Sequence, residues 1–431
     1  MAWSGLPFVL ILGSLPHTGD LAPPGPQPAQ TSRPAPAVPS EGGTLTLDEA
    51  LRLARTSAPA RAAAAARAAG TSEAVQFAGR LPNPSVELRS ENWRFGGHSG
   101  DPSIDTFALV SQPLEFGGKR GARRALAAAD AAVADAELAQ AERDAVLGAA
   151  EAYLAAVRGR ILTELLGTQR EGGSSVVALM KRRVEEGYAA EADLRKFEAE
   201  VARVDAQLVR AWLGLGRACA VLAVRLGLPA DVEPAQLVEP ALPAPITGDF
   251  PELARTAAER RPEVVAARRR HERAQAALAL ERKRAVPDPI VSGGYKRTSD
   301  VNTGVVAVLL PIPLIDRNAG GVARATGEER AAAVEAEAAA RLARAEIDVE
   351  LRAAAALAER AQQTERELLV PVDIARQAAR ASFREGSSDV LRLVDAERVY
   401  IDAHRDGLDL KLEAILATLR ARLAIGQEIV P

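Results

Sequence analysis

The sequence predicts a mainly α-helical protein with a small β part, built as a two-fold internal repeat. Three observations predict this fold class. Sequence matches recur about 200 residues apart in the same order, and each half carries very long helical tracts. Each half also places a β-hairpin between a Pro-x-Pro break and a glycine-rich joint.

The internal repeat rests on four pairs of matching segments. The pairs are LARTSAP at Leu53 and LARTAAERRP at Leu253, LPNPSVEL at Leu81 and VPDPIVSG at Val286, LVSQPLEFGG ending at Gly118 and LLPIPLIDRNAGG ending at Gly321, and EGYAAEADL at Glu186 and EGSSDVLRL at Glu385. Four matches in one order indicate a repeated supersecondary unit. We therefore divide the chain into a leading segment, residues 1–43, a first repeat, residues 44–240, and a second repeat, residues 241–431.

The leading segment combines a short apolar stretch with a proline-rich stretch. Leu6–Leu15 resembles the apolar core of a secretion signal, although no Lys or Arg precedes it. A secretion signal and a truncated or misassigned start both stay open. Ala22–Pro39 is typical of an extended or disordered tether.

Both halves show the same order of elements: a helix, two strands, a long helical tract and a returning helix. Proline ends the first helix of each half because it cannot continue a helix. The predicted helices are Leu47–Gly79, Lys119–Glu186, Asp193–Leu226, Glu252–Arg284, Gly320–Glu385 and Asp389–Ile425, and the predicted strands are Val86–Trp93, Ile104–Gln112, Ile290–Lys296 and Val301–Leu310. We expect the two long tracts to be interrupted at Glu171–Gly173 and at Pro371.

The returning helices carry a heptad seam, which predicts that they pack as coiled coils. The seam residues are Leu194, Phe197, Val201, Val204, Leu208, Ala211, Leu215, Ala218 and Leu222 in the first repeat, and Leu408, Leu412, Ile415 and Leu419 in the second. Each long tract spans on the order of 100 Å, so each half contains a long α-helical hairpin. Cys219, beside the seam, is expected to be a small packing residue.

The composition excludes several classes of protein. The formal net charge is −3, and without a basic stripe a general nucleic-acid binder is excluded. One cysteine allows no intramolecular disulfide, and four scattered histidines, including His98 in a predicted loop, form no metal site. We find no nucleotide-binding, hydrolase or metalloprotease motif, and we expect no cofactor. We also find no apolar run of about 18 residues, which would predict a transmembrane helix.

The predicted elements require partners outside a single chain. Four strands cannot close a barrel, so the edges of the two hairpins need neighbours. A helical hairpin on the order of 100 Å long cannot bury its seams within a compact monomer. Several copies that form a β-barrel at one end and a helical tube at the other would satisfy both needs, but these arguments leave the number of copies open.

The order of elements resembles the outer-membrane efflux protein family, of which TolC is the best-known member. The resemblance covers about Thr44 to Gly426 and includes LTLDEALRLA, LPNPSVELRSENW, SQPLEFGGKRGARR, LPIPLIDRNAGG and EGSSDVLRLVDAERVY. The stretches ENWRFGG and PLEFGGKRGARR are most similar to the heavy-metal cation efflux branch, the CzcC-like proteins.

This resemblance implies a homotrimer whose four strands per protomer close a twelve-stranded barrel in outer-membrane lipid, above a helical tube in the periplasm. It implies two partners, a periplasmic adaptor protein and an inner-membrane pump of the resistance-nodulation-division type, which supplies the energy. The implied function is an exit duct for heavy-metal cations and not an enzyme. The alternatives are a duct for drugs or for type I secretion and, from another class, a soluble coiled-coil scaffold.

The resemblance also implies a gate at the periplasmic tip of the tube. Its candidate residues here are Asp193, Asp389, Arg392 and Asp395. Arg392 stands where the best-known gate has an acid, and Phe383 and Ser388 stand where it has Tyr and Arg. A mixed ring of Arg392 and Asp395 could close the tip by ion pairs between protomers, and the alternative is that these charges are solvated.

Overall fold

The computed structural model describes residues 43–92, 104–229 and 232–427. In these ranges the chain forms nine α-helices and one four-stranded sheet. Their bounds are α1 Leu47–Ser57, α2 Pro59–Ala78, β1 Ser85–Glu91, β2 Asp105–Pro113, α3 Lys119–Glu185, α4 Glu191–Leu226, α5 Phe250–Ala258, α6 Pro262–Arg284, β3 Ile290–Thr298, β4 Val301–Leu309, α7 Ala319–Thr364, α8 Val370–Glu385 and α9 Val390–Ala424. The leading segment up to residue 42, His98 and the tip of the first hairpin lie outside the described residues.

The first predicted helix of each repeat is divided in two, which corrects the sequence prediction. Pro59 begins α2 and Pro262 begins α6. The residues before them, Ala58 and Arg261, are extended, with ψ angles of 128° and 132°. Proline restricts its predecessor to extended geometry and is itself well suited to the first position of a helix. Each proline therefore ends one helix and starts the next.

The two hairpins join into one antiparallel sheet with the order β1-β2-β3-β4. Within the hairpins Ser85 pairs with Ser111, and Ile290 pairs with Leu309. The middle contact, between β2 and β3, joins the first repeat to the second. The four predicted strands are confirmed, and their ends differ from the predicted ones by a few residues.

The long tracts differ at their predicted interruptions. Helix α3 runs for 67 residues through Gly172 and Gly173, so that prediction is wrong. Glycine weakens a helix by only about 1 kcal/mol, and here it allows close packing, since a Cβ at Gly173 would lie 2.9 Å from Val201 Cγ2. The second interruption is confirmed: a π-helical turn, Glu365–Leu369, directly precedes α8, which has Pro371 in its first turn.

The heptad seam is confirmed by burial. All nine predicted seam residues of α4 and all four of α9 are buried or half-buried. The α4 seam packs mainly against α3, in clusters that include Leu166 and Tyr153. Cys219 lies in the same core and is buried, as expected for a packing residue.

Helix α4 also has a second apolar side. Among the described helices it alone is long and apolar enough to cross a bilayer by length and composition. This differs from the sequence prediction, which found no such helix. Its exposed apolar residues, named the α4 stripe here, are Val209, Trp212, Leu213, Val221 and Val224. An exposed apolar stripe beside a packed seam indicates a contact surface.

Candidate functional site

The sheet has one apolar face that is left uncovered by residues 43–92, 104–229 and 232–427. Residues directly opposite each other in a ladder share a face, and the register aligns Val86 with Val110 and Val291 with Val308. The members of this apolar face are Val86, Leu88, Val110, Val291, Tyr295, Val306 and Val308, all exposed. Leu88 is 79% exposed and Val306 is 84% exposed, so this face is fully available to a partner or to lipid.

The opposite face of the sheet is mixed: its polar residues are paired with one another, whereas its β4 residues Val301 and Leu309 are apolar and 62% exposed. Asp105 accepts a hydrogen bond from Asn92 Nδ2 at 2.9 Å and forms an ion pair with Lys296 at 3.2 Å. Ser111 and Ser292 are hydrogen bonded across β2 and β3. A lipid-facing apolar side and a polar lumen side are the pattern of a transmembrane β-barrel strand. Strand β4 departs from this pattern, because the register places Val306 and Val308 on the apolar face and Val301, Val305 and Leu309 on the opposite face.

A network of side chains fixes the joint between the sheet and α3. Asp288 forms an ion pair with Lys119 at 2.7 Å and accepts a hydrogen bond from the Phe116 amide at 3.0 Å. Arg123 forms an ion pair with Glu115. These contacts hold the start of a 67-residue helix against the end of the sheet, so the direction of the helix is set at the joint.

Each helical hairpin turns at a glycine. Gly187 and Gly386 both adopt left-handed backbone conformations, with φ angles of 77° and 78°, which glycine tolerates without strain. Arg183 ties the two turns together, because Nη1 donates to the Phe383 carbonyl at 3.2 Å and Nη2 donates to the Arg384 carbonyl at 2.9 Å. The two hairpins therefore meet at a bonded tip.

The structure brings two of the four predicted gate residues to one cleft. Asp193 and Asp389 line an open cleft of about 440 Å³ between the two turns. Asp193 forms an ion pair with Lys196 of the same helix at 3.6 Å. Asp389 caps α9, because its carboxylate accepts a hydrogen bond from the Arg392 amide at 3.0 Å. Both acids thus have local partners.

The other two predicted gate residues, Arg392 and Asp395, are exposed on the first turns of α9. Among the ion pairs of the described residues, none joins Arg392 to Asp395 within one chain. A ring built from these residues would need neighbouring copies. Arg183, which was not predicted from the sequence, joins the two turns at the tip. The available signal was the Arg182–Arg183 pair shortly before Gly187.

A polar layer around the buried carboxylate of Glu200 ties the two hairpins farther from the tip. Glu200 of α4 forms ion pairs with Arg203 and, at 2.6 Å, with Arg398 of α9. Burial would raise the pKa of Glu200, but the hydrogen bonds from Arg398 and Arg203 outweigh burial and lower that pKa. On α9, Glu397 pairs with Arg376 at 3.0 Å and with Arg380. The Glu200–Arg398 pair crosses from the first repeat to the second, so it fixes the register of one repeat on the other.

The sequence pattern of the outer membrane efflux protein family matches residues 50–227 and again residues 253–427. The chain belongs to the outer membrane efflux protein family. One match falls in each half of the chain, which agrees with the two-fold repeat. Membership of this family also confirms the predicted outer-membrane location. The outer membrane efflux proteins are channels. Membership also excludes the soluble coiled-coil scaffold.

Two relatives of this outer membrane efflux protein are metal-resistance proteins of Cupriavidus metallidurans. The cobalt-zinc-cadmium resistance protein CzcC is 30% identical over 292 residues, which cover 67% of this chain and 68% of CzcC. The nickel and cobalt resistance protein CnrC is 32% identical over 270 residues, which cover 59% of this chain and 60% of CnrC. The predicted resemblance to the heavy-metal branch is therefore confirmed.

The fold is also that of a solved channel. The crystal structure of the Campylobacter jejuni CmeC outer membrane channel matches with a TM-score of 0.75 at 13% identity, over 88% of this chain and 85% of CmeC. At 13% identity, this match shows that the two chains share a fold and shows nothing further. It confirms the predicted fold class, mainly α with a small β part and long helical hairpins.

Proposed function

We propose that this outer membrane efflux protein is the exit duct of a tripartite, proton-driven efflux system that exports heavy-metal cations. The observation that carries the cargo assignment is the match to CzcC, a cobalt-zinc-cadmium resistance protein, over two thirds of both chains. The match to CnrC, a nickel and cobalt resistance protein, points to the same class of cargo. Energy would come from the inner-membrane pump and not from this chain.

The proposed duct is a homotrimer. Among the described residues, the apolar face of the sheet is uncovered and β1 and β4 are edge strands. A membrane sheet must pair its edges, because unpaired backbone groups in lipid are strongly unfavourable. Three copies would bring together twelve strands, an even number like those of single-chain bacterial barrels. The α4 stripe gives neighbouring protomers a surface to cover in the helical tube.

The tip carries the proposed gate and the proposed contact with a periplasmic adaptor. We assign Asp193 and Asp389 to the walls of the tip cleft, and Arg392 and Asp395 to a mixed ring between protomers. This ring is supported by their exposure and by their spacing of three residues on α9, which gives them a common side of the helix. The residue ranges 44–240 and 241–431 would then be two efflux repeats that each contribute one hairpin to the tip.

Metal tolerance in cells tests the proposed cargo. A strain that lacks this chain should lose tolerance to cobalt, zinc, cadmium or nickel, and a plasmid copy should restore it. Tolerance to several unrelated hydrophobic drugs and secretion of a type I substrate are measured in parallel. Loss of drug tolerance or secretion with unchanged metal tolerance would assign the duct to one of those alternatives instead.

The assembly is tested on purified protein. Outer membranes are separated from inner membranes, the protein is extracted in detergent, and its native mass is measured. We expect the outer-membrane fraction and three times the mass of the mature chain. A monomer in the soluble fraction would overturn the duct itself.

A further inference from the structure

The apolar face of the sheet continues to the end where the strands join the helices. Directly after the last β2–β3 pair, Pro113 with Ile290, the Leu114 amide donates to the Pro289 carbonyl at 2.8 Å. Leu114 therefore extends the alternation of β2 and lies on the apolar face. In the matching segment of the second repeat, Ile315 is 100% exposed. We call this end of the sheet the rim, together with the last turns of α2 and α6, the first two turns of α3 and the segment before α7.

The rim carries five exposed arginines that form no ion pair with any described residue. They are Arg80, Arg120, Arg124, Arg282 and Arg317. Three of the four acids at the rim are already paired with other cations: Asp288 with Lys119, Glu115 with Arg123 and Glu281 with Arg284. The fourth, Asp316, accepts a hydrogen bond from the Asn318 amide at 2.8 Å. The rim therefore has an excess of unpaired positive charge, although the net charge of the whole chain is −3.

Contacts between neighbouring helix ends hold these arginines in one region. Arg123 Nη2 donates to the Arg80 carbonyl at 2.9 Å, and Lys283 Nζ donates to the Gly118 carbonyl at 3.3 Å. The ends of α2 and α6 therefore both contact the start of α3. The two exposed arginines of α3 are four residues apart, so they share one side of that helix. The unpaired charge is thus concentrated where the helices meet the sheet.

The strands of the sheet show the opposite pattern. Their three basic residues, Arg89, Lys296 and Arg297, each form an ion pair with an acidic side chain of the sheet or of its β3–β4 turn, at 2.9, 3.2 and 3.7 Å. The cations of the strands are therefore neutralised within the chain, whereas those of the rim are left for an anion outside it.

We propose that the rim binds the phosphate groups of anionic phospholipids in the periplasmic leaflet of the outer membrane, with Leu314 and Ile315 against their acyl chains. A nine-residue strand such as β3 is about 30 Å long. The tilt of barrel strands reduces this length to about 23 Å across the bilayer, close to the apolar band of about 25 Å. The rim therefore lies at the level of the lipid headgroups. This inference depends on the outer-membrane location, which family membership shows, and not on the proposed cargo.

The chemistry of the rim favours a lipid over a free anion or an acidic protein. Arginine binds a phosphate through two parallel hydrogen bonds, and a cluster of cations beside a membrane-spanning segment attracts anionic lipid. Leu314 is 80% exposed beside these cations. An exposed apolar side chain gains free energy when it enters the membrane interface, and neither a free phosphate nor an acidic protein surface offers that environment.

Competition between two lipids tests this proposal. The protein is extracted from outer membranes and freed of bound lipid, and equal amounts of phosphatidylglycerol and phosphatidylcholine with the same acyl chains are added. Native mass spectrometry then counts the lipids retained by the parent, by Arg120→Gln with Arg124→Gln, and by Arg120→Lys with Arg124→Lys. The control, Arg67→Gln with Arg182→Gln, removes as much charge from exposed arginines without ion pairs. Arg67 lies about 16 Å along α2 from the rim, and Arg182 is near the tip.

We expect the parent and the control to retain several-fold more phosphatidylglycerol than phosphatidylcholine. The glutamine pair should lose most of this preference, and the lysine pair should keep part of it, because lysine keeps the charge but not the forked donors. Inorganic phosphate at the same concentration as the lipid should displace little phosphatidylglycerol.

Equal retention of the two lipids by the parent, which an acidic protein partner would predict, would overturn the proposal. So would an unchanged preference in a glutamine pair that has the parent's native mass. Displacement of the lipid by inorganic phosphate would show a site for the free anion and would overturn the lipid assignment. If the glutamine pair does not assemble, the lysine pair decides, and a preference equal to the parent's would refute the role of the two arginines. None of these outcomes bears on the proposed cargo.

Discussion

Arg183 and Phe383 are joined in two ways at the tip. Nη1 of Arg183 donates to the carbonyl oxygen of Phe383 at 3.2 Å, and the guanidinium lies over the Phe383 ring, with 5.1 Å between Cζ and the ring centroid. Arg183 comes from α3 of the first repeat, and Phe383 comes from α8 of the second. This contact therefore connects the two hairpins at their ends.

Removing Arg183 should loosen the tip. Arg183→Ala loses two hydrogen bonds from a charged group to carbonyl oxygens, worth about 1–3 kcal/mol in total after solvent screening. We expect a higher single-channel conductance of the purified protein in planar bilayers. Arg183→Lys should give an intermediate result, since lysine keeps the charge but not the forked donors. The matched control is Arg182→Ala, since Arg182 is an exposed neighbour of Arg183. Equal single-channel conductance for the two alanine variants would show that the hydrogen bonds of Arg183 do not hold the tip closed.

Reversing the charge of Arg392 tests the proposed mixed ring. Arg392→Glu would replace attraction to Asp395 of a neighbouring copy by repulsion. Each exposed pair is worth only about 0–1 kcal/mol, but symmetry repeats it in every copy. We expect higher conductance and stronger cation selectivity in planar bilayers. Arg182→Glu is the control for charge alone, and an Arg392→Glu trace that coincides with the parent's would show that Arg392 is only solvated.

The two faces of β1 should respond oppositely to a positive charge. Leu88→Arg places a charge on the apolar face, which costs up to about 2–4 kcal/mol when the site lies near the middle of the bilayer. Glu87→Arg places the same side chain on the polar face and should cost much less. The measurement is the yield and urea midpoint of the assembled protein extracted from outer membranes. If Glu87→Arg were the more damaging change, our assignment of the faces would be reversed.

Truncation in the α4 seam tests the helical packing. Leu222 is fully buried between α4 and its neighbours, so Leu222→Ala should cost about 2–5 kcal/mol of unfolding free energy. Leu213 belongs to the exposed α4 stripe of the same helix, and Leu213→Ala is the control. Thermal unfolding of the purified protein gives both values. An unchanged Leu222→Ala variant would refute the seam, whereas a large effect at Leu213 would indicate that another protomer covers the stripe.

Glu350 should make the stability of the helical region depend on pH. Burial raises the pKa of Glu350, and the positive charges of Arg261 and Arg143 only partly oppose this shift. The pKa is higher in the folded state than in the unfolded state, so the stabilising contribution is present below the unfolded value, about 4.3, and is lost as the pH rises through the folded value.

Glu350→Gln should therefore raise the Tm at pH 7 and leave it nearly unchanged at pH 4. Arg261 keeps Glu346 at 2.8 Å and Glu263 at 3.4 Å as partners in this variant. The control is Glu346→Gln. This change removes the 2.8 Å ion pair between Arg261 and Glu346 and should not stabilise the protein. If Glu350→Gln changed the Tm by the same amount at pH 7 and at pH 4, the raised pKa of Glu350 would be contradicted.

Much of the fold could be predicted because its signals are local in the sequence. The heptad positions from Leu194 to Leu222 define a buried side of α4 without reference to any other element. Pro84 and Pro289 mark the starts of the hairpins, since proline forces extended geometry before it. The repeated segments carry the same signals twice. The four strands and the family resemblance followed from these patterns, as did the helices apart from the breaks at Pro59 and Pro262 and the continuity of α3 through Gly173.

The candidate site was less predictable because it depends on pairs of distant residues. Arg183 and Phe383, like Glu200 and Arg398, belong to different repeats, and only the packing of two hairpins brings them together. The role of Asp389 as a helix cap depends on a single backbone amide. Such pairings leave no periodic trace in the sequence.

The sequence by itself determined the two-fold repeat, the helices, the hairpins and the seam, because each is encoded by the spacing of apolar residues and prolines along a short stretch. The tertiary structure decided which face of the sheet is apolar, that α3 continues through Gly173, and that Arg183 closes the tip. These features depend on strand register, on close approach to Val201 and on contacts between repeats. They arise from packing across about 200 residues of separation, which local patterns do not specify.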